Sequence, residues 1–383
     1  MTHVLVAGVS TRAAARSAAR AGFAVTAIDA FGDLDQHASV RVLSLAHNFT
    51  ARAAALAAQT VQCDAVVYLS SFENHPKAIA TLAEGRVLWG NSPETVRRVR
   101  DPLLLAEALR RRGFPAPEVR LKPEATSMID SWLVKPLASG GGQRIRIWDG
   151  TASLPRGCYL QEFIDGMSGS IVFVAAGGRA VPLAVSRQLV GEPAFGAEGF
   201  QYCGNILTAA PADNAPGFSQ DKTLVEAARA LAQAVVDEFG LVGVNGIDFI
   251  ARDGSPHATE VNPRWCASME LVERAYGLSV FAAHASACTT GQLPAFDLKH
   301  RPRGPGSVGK AVVYARRDVT VGDTRTWLTK HENIRDIPQP GEHISVGRPV
   351  CTILADAPDG PTCHEALLES AGRVYAQLEA WCA

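Results

Sequence analysis

Asp248, Glu260 and Asn262 carry oxygen ligands at a spacing that can bring them together. They lie in the stretch GIDFIARDGSPHATEVNPR, Gly246 to Arg264, where apolar residues alternate on both sides of an Asp253-Gly254 turn signal. That pattern predicts a hairpin. If its arms pair symmetrically about Gly254, Asp248 sits opposite Glu260, and Asn262, two residues on, shares Glu260's face. Facing carboxylates repel, and a hard divalent cation offsets the repulsion. Magnesium, which takes few carboxylates and binds phosphate oxygens, fits this set best. The alternative is a carboxylate that caps a turn or pairs with Arg252 or Arg264 at the surface.

Upstream, Trp132-Leu133-Val134-Lys135-Pro136 reads as a strand carrying one lysine, followed at once by Ser139-Gly140-Gly141-Gly142-Gln143. Consecutive glycines cost backbone entropy and supply no packing, so they belong in a loop whose backbone approaches a partner closely or moves. With Arg144 to Trp148 as the returning strand, the loop can cover a triphosphate that Lys135 neutralises; a surface hairpin beside a solvated lysine is the alternative. The chain has no GxxxxGK, so a P-loop site is not supported. Gln161, Glu162, Phe163 and Ile164 end an apolar strand and offer the acceptor, backbone groups and apolar walls an adenine needs, although any strand end offers some of these. Arg187 and Gln188 interrupt the apolar run Val181 to Val190, so at least one charge faces a cleft or is paired. For Arg187 a phosphate or substrate contact is favoured over a structural ion pair.

The elements that must position these residues follow in order. Residues 1–98 read as alternating strands and Ala-rich helices: strands His3 to Ala7, Ala24 to Ile28, Ala65 to Leu69 and Val87 to Trp89, with helices between them. This implies an open parallel α/β sheet. Ligands in such sheets sit beyond the carboxyl ends of the strands, so Ser10, Asp29, Ser70, Ser71 and Glu73 can line a cleft. Gly8-Val9-Ser10 before a helix can receive an anion, but Ala13 replaces the third glycine of GxGxxG, and a ligand-free turn is the alternative. Asp101 to Arg112 is a helix leading into a Pro-rich hinge through Pro123. Beyond it, 99–300 is expected as a two-lobed unit, with a small lobe about 115–166 and a large lobe about 167–300. Ser170 to Ala176 and Arg179 to Val190 form a hairpin, the aromatic Gly-rich stretch Gly191 to Asn205 is an active-site loop or a core anchor, and Ser219 to Phe239 is a helix. Pro302 to Gly306 marks a boundary; residues 301–383 are expected as a small C-terminal α+β domain with its own sheet and a closing helix, His364 to Trp381.

The chain has 383 residues and a formal net charge of −1, the balance of an ordinary globular protein of two or three domains. That balance argues against a nucleic-acid partner, despite local clusters at Arg97, Arg98, Arg100 and Arg110 to Arg112. Its eight cysteines lack CxxC pairs, which points to reduced thiols and a cytoplasmic setting. No apolar run has membrane-spanning length and no signal peptide is expected.

Taken in order, Lys135-Pro136, the loop 139–143, Gln161 to Ile164 with Gly166, Gly246-Ile247-Asp248 and Glu260-Val261-Asn262-Pro263-Arg264 resemble the ATP-grasp ligase superfamily over roughly 100–290. The resemblance implies the ATP-grasp fold, α/β and α+β, with ATP clamped between two lobes. Lys135 would bind the α and β phosphates, Ser139, Gly140, Gly141 and Gly142 would cover them, and Gln161, Glu162, Phe163 and Ile164 would hold adenine. Asp248, Glu260 and Asn262 would carry Mg2+, two ions expected and Mn2+ an alternative, while Arg264 and Arg187 would act on the transferring phosphoryl group. The superfamily commonly has a lysine after an aspartate at the junction. Here Pro102 follows Asp101, Arg100 is the nearest replacement, and Ser168 or Ser170 stands where an acidic residue would bind the ribose.

The activity implied is amide formation from a small-molecule carboxylate and an amine through an acyl-phosphate, with release of ADP and phosphate, and the whole chain is similar to the carboligase-like group that includes tyramine–glutamate ligases of methanofuran-type cofactor synthesis. A homodimer is compatible with this. The rival expectations are a bicarbonate-using carboxylase of the purine-synthesis type and a nucleotide-binding regulatory protein without turnover.

Overall fold

The computed structural model of the chain describes residues 1–122, 132–150, 153–208, 221–298, 303–304, 306–330 and 332–382. The features expected at Pro123, at the start of the Ser219 helix and at Pro302 and Pro305 lie outside them. The chain begins with β1 (His3–Ala7), α1 (Arg12–Arg20), β2 (Ala24–Asp29), β3 (Val40–Ser44), α2 (Ala51–Ala58), β4 (Ala65–Tyr68), α3 (Pro76–Ala83) and β5 (Val87–Leu88). These strands form the expected parallel sheet, in the order β3-β2-β1-β4-β5. The continuously apolar β1 takes the centre because both its faces are covered by helices. β3 is an addition to the sequence reading, since at the edge its residues stay half-exposed and its pattern is weak.

Two capped helices lead out of this sheet: α4 (Pro93–Val99), where the Ser92 side chain accepts from Thr95 N, and α5 (Pro102–Arg111), where Asp101 accepts from Leu103 N and Leu104 N. The junction aspartate is therefore a helix cap. The small lobe is an antiparallel sheet of β6 (Val119–Arg120), β7 (Trp132–Pro136), β8 (Arg146–Ile147) and β9 (Cys158–Glu162), ordered β6-β9-β7-β8.

The large lobe contains β10 (Met167–Ala176), β11 (Arg179–Val190), β12 (Tyr202–Thr208), α6 (Lys222–Phe239), β13 (Gly243–Arg252), β14 (Ser255–Asn262), α7 (Met269–Tyr276) and α8 (Val280–Thr289). After it come β15 (Ser307–Tyr314), β16 (Val319–Thr320), α9 (Arg325–Lys330), β17 (Ile334–Arg335), β18 (His343–Ile344), β19 (Pro349–Ala357) and α10 (Gly360–Cys382). The C-terminal strands do not build the separate small sheet expected of them. β15 pairs with β12 and extends the large lobe into one eight-stranded sheet, β14-β13-β10-β11-β12-β15-β19-β17; only β16 and β18 pair apart. Joining in this way covers the edge that β12 would otherwise expose.

Register assigns the two faces of that sheet. Ile171, Val185, Ile247 and Val261 face α6, and Ile206, Ala311 and Val313 pack with Cys363 and Leu367 of α10. The opposite face carries Glu260, Asp248, Ser170, Ser186, Gln188, Asn205 and Lys310 in a continuous polar row. Beside it, Val172, Ala184, Leu207 and Val308 share an apolar cluster with α7, α8 and the N-terminal domain.

His284 of α8 lies at that junction. Its Nδ1 accepts from Val244 N at 3.0 Å, so the ring is held neutral; burial pushes its pKa down to about 4, against a weaker upward pull from its hydrogen bond to the Trp89 backbone. In the unfolded chain the ring titrates at its ordinary value, so the unfolded state binds the extra proton between the two values and stability falls as pH drops from about 6.5 to about 4. This group contributes a loss of about 3 kcal/mol across the window. Urea unfolding at pH 7 and pH 4 is expected to show a smaller drop in His284→Gln than in the parent; equal drops would refute the assignment.

Candidate active site

The hairpin β13–β14 turns at Asp253-Gly254, both in the left-handed region at φ 50° and 70°, with Arg252 paired to Ser255. Its centre is thus between those two residues, which alone would put Asp248 opposite Thr259. A bulge intervenes. The register shifts after Phe249↔Ala258, leaving Thr259 as the extra residue, and Asp248 comes to face Glu260. The expected pairing is present, produced by a two-residue turn plus a bulge instead of symmetry about Gly254.

Asp248 accepts from Gln188 Nε2 at 2.8 Å through Oδ1 and from Asn262 Nδ2 at 2.9 Å through Oδ2. Burial, then the Glu260 charge, push its carboxyl up to about 7, against the downward pull of Asn262, Arg264 and Gln188. Glu260 behaves oppositely. Burial pushes it up as well, but Arg100, at 3.2 Å, together with Lys135 and Arg264, holds it below the ordinary carboxylate value. Two acids on facing arms are driven apart by where the cations stand.

Arg100, the nearest replacement for the lysine expected after Asp101, reaches into the site. It donates to Val261 O at 3.2 Å, to Asn74 Oδ1 at 3.1 Å and to Ser139 O at 3.4 Å, tying the N-terminal domain, the glycine loop and the hairpin together. Lys135 is buried, its Nζ donating to Gln161 Oε1 at 2.9 Å, and Gln161 Nε2 donates to the bulge carbonyl of Thr259 at 3.3 Å. The Gln161 side chain therefore bridges the two lobes. Glu162 is anchored to the edge strand, its Oε2 accepting from Glu118 N at 2.9 Å. Phe163 is partly exposed, edge-on to Phe200; Ile164 is buried; Ser168 pairs with Ile250 on the polar face.

Arg264 is half-buried with its fork already engaged: Nη2 donates to Glu73 Oε1 at 2.6 Å and Asn262 Oδ1 at 3.0 Å, and Nη1 to Trp265 O at 3.0 Å. What it leaves without a partner is the buried Nε, as do Arg100 at its Nε and Glu73 at its Oε2. Glu73, the last of the strand-end residues named from sequence, thus joins the site. Asp29 does not: its oxygens accept from Thr11 N, Thr11 Oγ1, Phe31 N and Gly32 N, a turn-stabilising role.

Arg187 is a correction. It alternates with Ser186 and Gln188, so it points to the opposite face of the sheet, with Ile206 as its cross-strand partner and Glu192 Oε1 at 4.0 Å. It forms a half-exposed ion pair on the α10 side, where His364 also meets Glu192. Gln188, the polar residue beside it, is the one that contacts Asp248.

The Gly-rich loop lies against the large lobe. Ser139 O accepts from Asn74 Nδ2 at 3.1 Å, and Gly141 O accepts from Tyr202 N at 3.0 Å. A Cβ on Gly142, at φ 72°, would stand 1.8 Å from Phe200 O. The stretch Gly191 to Asn205 therefore receives the loop as well as anchoring itself, with Phe195 fully buried.

Asp248, Glu260 and Asn262 fit magnesium: two carboxylates plus an amide is the sparse oxygen set that ion takes when phosphate supplies further ligands. Among the described residues no group of three or more His, Cys, Asp or Glu gathers into a metal cluster. No helix among them is long and apolar enough to cross a membrane.

A small antiparallel lobe closing on a larger one over facing acids, with a glycine loop between, is the clamp of the ATP-grasp superfamily. Residues 99–268 match the family model of the ATP-grasp domain, and the fold is the ATP-grasp fold. It is 22% identical over 379 residues to an uncharacterized protein of Methanocaldococcus jannaschii, covering 92% of this chain and 87% of that one. It superposes on the L-amino acid ligase from Bacillus licheniformis with a TM-score of 0.69 at 16% identity, covering 97% of this chain and 98% of that one. The biotin carboxylase domain of Hydrogenobacter thermophilus 2-oxoglutarate carboxylase, in complex with MgADP, ADP and bicarbonate, gives 0.70 at 16% identity, with 93% and 86% covered. Against Rhizobium etli pyruvate carboxylase the TM-score is 0.72 at 16% identity over 96% of this chain, which spans 37% of that one. At these identities the likeness is one of fold.

Gly142→Ala is expected to keep the loop from seating against Phe200 and to weaken ADP binding about tenfold or more, about 1.4 kcal/mol, with the melting temperature unchanged. Calorimetric titration with MgADP checks this, and undiminished affinity would refute the closed position as the nucleotide-bound one.

Proposed function

We propose that the protein is an ATP-dependent carboxylate–amine ligase. The observation that supports it most directly is the pair Asp248 and Glu260, facing each other beneath a buried lysine and a seated glycine loop. Asp248, Glu260 and Asn262 would hold magnesium, which when bound supplies positive charge to the phosphate oxygens. Lys135 neutralises the nucleotide phosphates from the small lobe, and the loop 139–142 excludes water above them. The substrate carboxylate oxygen bonds to the γ-phosphorus as the bond to ADP breaks. The amine nitrogen then bonds to the acyl carbon, phosphate leaves with the electron pair, and the nitrogen gives up a proton to complete the amide. Arg264, held by Glu73 and Asn262, presents its free Nε–H to the charge that develops. Most of the acceleration is positioning and electrostatics, so no side-chain nucleophile is required.

The likeness to the L-amino acid ligase and the polar row of the large sheet support an acid and an amine over other acceptors. Cofactor biosynthesis of the methanofuran kind is the setting we favour for that chemistry. The likeness to a carboxylase domain bound to bicarbonate favours a second reading, carboxylation with bicarbonate as the acid.

A screen of amino acids and small amines with ATP and magnesium is expected to give ADP and phosphate in equal amounts only when both an acid and an amine are present. Bicarbonate-dependent ADP release without an added carboxylate would establish the second reading, and AMP as product would exclude the first.

A further inference from the structure

A second cluster of ionised side chains lies at the far end of the polar row, where the row meets the carboxyl ends of β1 and β2. Lys310 of β15 donates to Glu270 Oε2 at 2.7 Å, and Glu270 in turn receives Arg12 Nη1 at 2.7 Å and Nη2 at 3.1 Å. Arg12 is fully buried; its Nε donates to Asp336 Oδ1 at 2.7 Å and lies 3.5 Å from Asp35 Oδ2. The loop carrying Asp33 and Asp35 is zipped to the loop after β17: Leu34 N donates to Ile337 O at 2.8 Å and Ile337 N to Asp35 Oδ1 at 2.9 Å.

The two buried cations here are paired with other acids. Arg12 spends its N–H groups on Glu270 and Asp336, and Lys310 serves Glu270. At the rim, Arg335 gives Nη1 to the neighbouring Ile334 carbonyl. Asp33 is left over. It is 6% exposed, its Oδ2 has no hydrogen-bond partner, and Asp35 Oδ2 and both amide atoms of Gln36 are likewise buried without one. Burial, then the charges of Asp336, Asp29 and Asp35, push the Asp33 carboxyl well above its ordinary range, against a weaker downward pull from Arg12. A buried acid without a donor costs stability, and native chains seldom leave one unless another molecule supplies the donor.

We propose that Asp33, with Asp35, Asp336 and Gln36 beside it, holds a cationic group of the amine substrate other than the nitrogen that is acylated, a primary ammonium or a guanidinium. An ammonium brings N–H donors, which are what Asp33 Oδ2, Asp35 Oδ2 and the Gln36 carbonyl lack as hydrogen-bond partners, Asp35 Oδ2 having only the Arg12 ion pair at 3.5 Å. The place is that of a ligand in an open parallel sheet, beyond the strand ends. It also joins the magnesium hairpin through one face of the large sheet, along Gln188, Asn205 and Lys310. This assignment rests on the ligase reading for its substrate, but not for its binding.

The full-length protein, with magnesium and a non-hydrolysable ATP analogue, is titrated calorimetrically with methylamine, 1,4-diaminobutane, lysine and phenethylamine, and with the alcohols of matching shape. At least one amine is expected to bind where its alcohol does not, and Asp33→Asn to weaken it about tenfold or more without lowering the melting temperature, since the substitution removes no hydrogen bond from Oδ2. No amine binding to the parent, or amine affinity intact in Asp33→Asn, overturns the assignment. A lowered melting temperature with unmoved amine affinity would make Asp33 structural and overturn it too. Failure of amine-dependent ADP release, with amine binding still dependent on Asp33, would instead count against the ligase reading alone.

Discussion

Asp248 and Glu260 cannot both be charged in a buried site unless positive charge surrounds them, and the chain's architecture around the hairpin meets that constraint. Arg100 comes from the junction helix, Lys135 from the small lobe and Arg264 from the chain just past β14. Each brings a different part of the chain to the same two carboxylates. The acids respond unequally because the cations are nearer Glu260, while Asp248 faces amides. A divalent cation bound between them would let both ionise, so the charge state of the pair would depend on its ligand, whereas its position depends on the protein alone.

Position is set by hydrogen bonds that cross domain boundaries. The bulge at Thr259 gives Asp248 its partner and also turns a carbonyl toward Gln161, so one irregularity serves register and lobe contact together. Asn91 donates to Asn245 Oδ1 at 2.8 Å and to Pro263 O at 3.1 Å, and Tyr68 Oη reaches the same Pro263 carbonyl at 3.0 Å. The peptide that precedes Arg264 is thus fastened to the N-terminal domain before Glu73 takes the guanidinium.

Much of this was legible from local pattern. Period-two alternation around Asp253-Gly254 located the hairpin, Ala-rich segments between short apolar strands located the parallel sheet, and consecutive glycines after Lys135 located the loop. What was not legible depends on pairings between distant strands. Nothing in the stretch around Lys310 says that it will lie beside Asn205, so the C-terminal strands read as a sheet of their own. Arg187 and Gln188 look equivalent in an apolar run, and only the register decides that Gln188 faces Asp248 while Arg187 faces α10. The Arg12 cluster draws on residues from positions 12 to 336 and carries no spacing a reader could find. The bulge hid behind a correct pairing: symmetry about Gly254 gives the same partner by a different route.

The distribution of apolar contact says which parts can move. The N-terminal domain shares one buried cluster with α7, α8 and the polar-row face of the large sheet, through residues such as Val4, Trp89, Phe281 and Leu207, and Arg12 adds buried ion pairs across the same junction. Separating those parts would expose apolar surface and strand buried charges, which is costly. Trp132, Val134, Trp148 and Leu160 of the small lobe instead form a cluster of their own, and the lobe meets the rest of the site mainly through polar or backbone contacts of Gln161, Ser139 and Gly141, with the edge-on pair Phe163–Phe200 beside them. Such contacts exchange readily with water. The small lobe and its glycine loop are therefore the part joined least by buried apolar contact, while the acids, Arg264 and the strand-end cluster are held together by the shared core and its buried ion pairs.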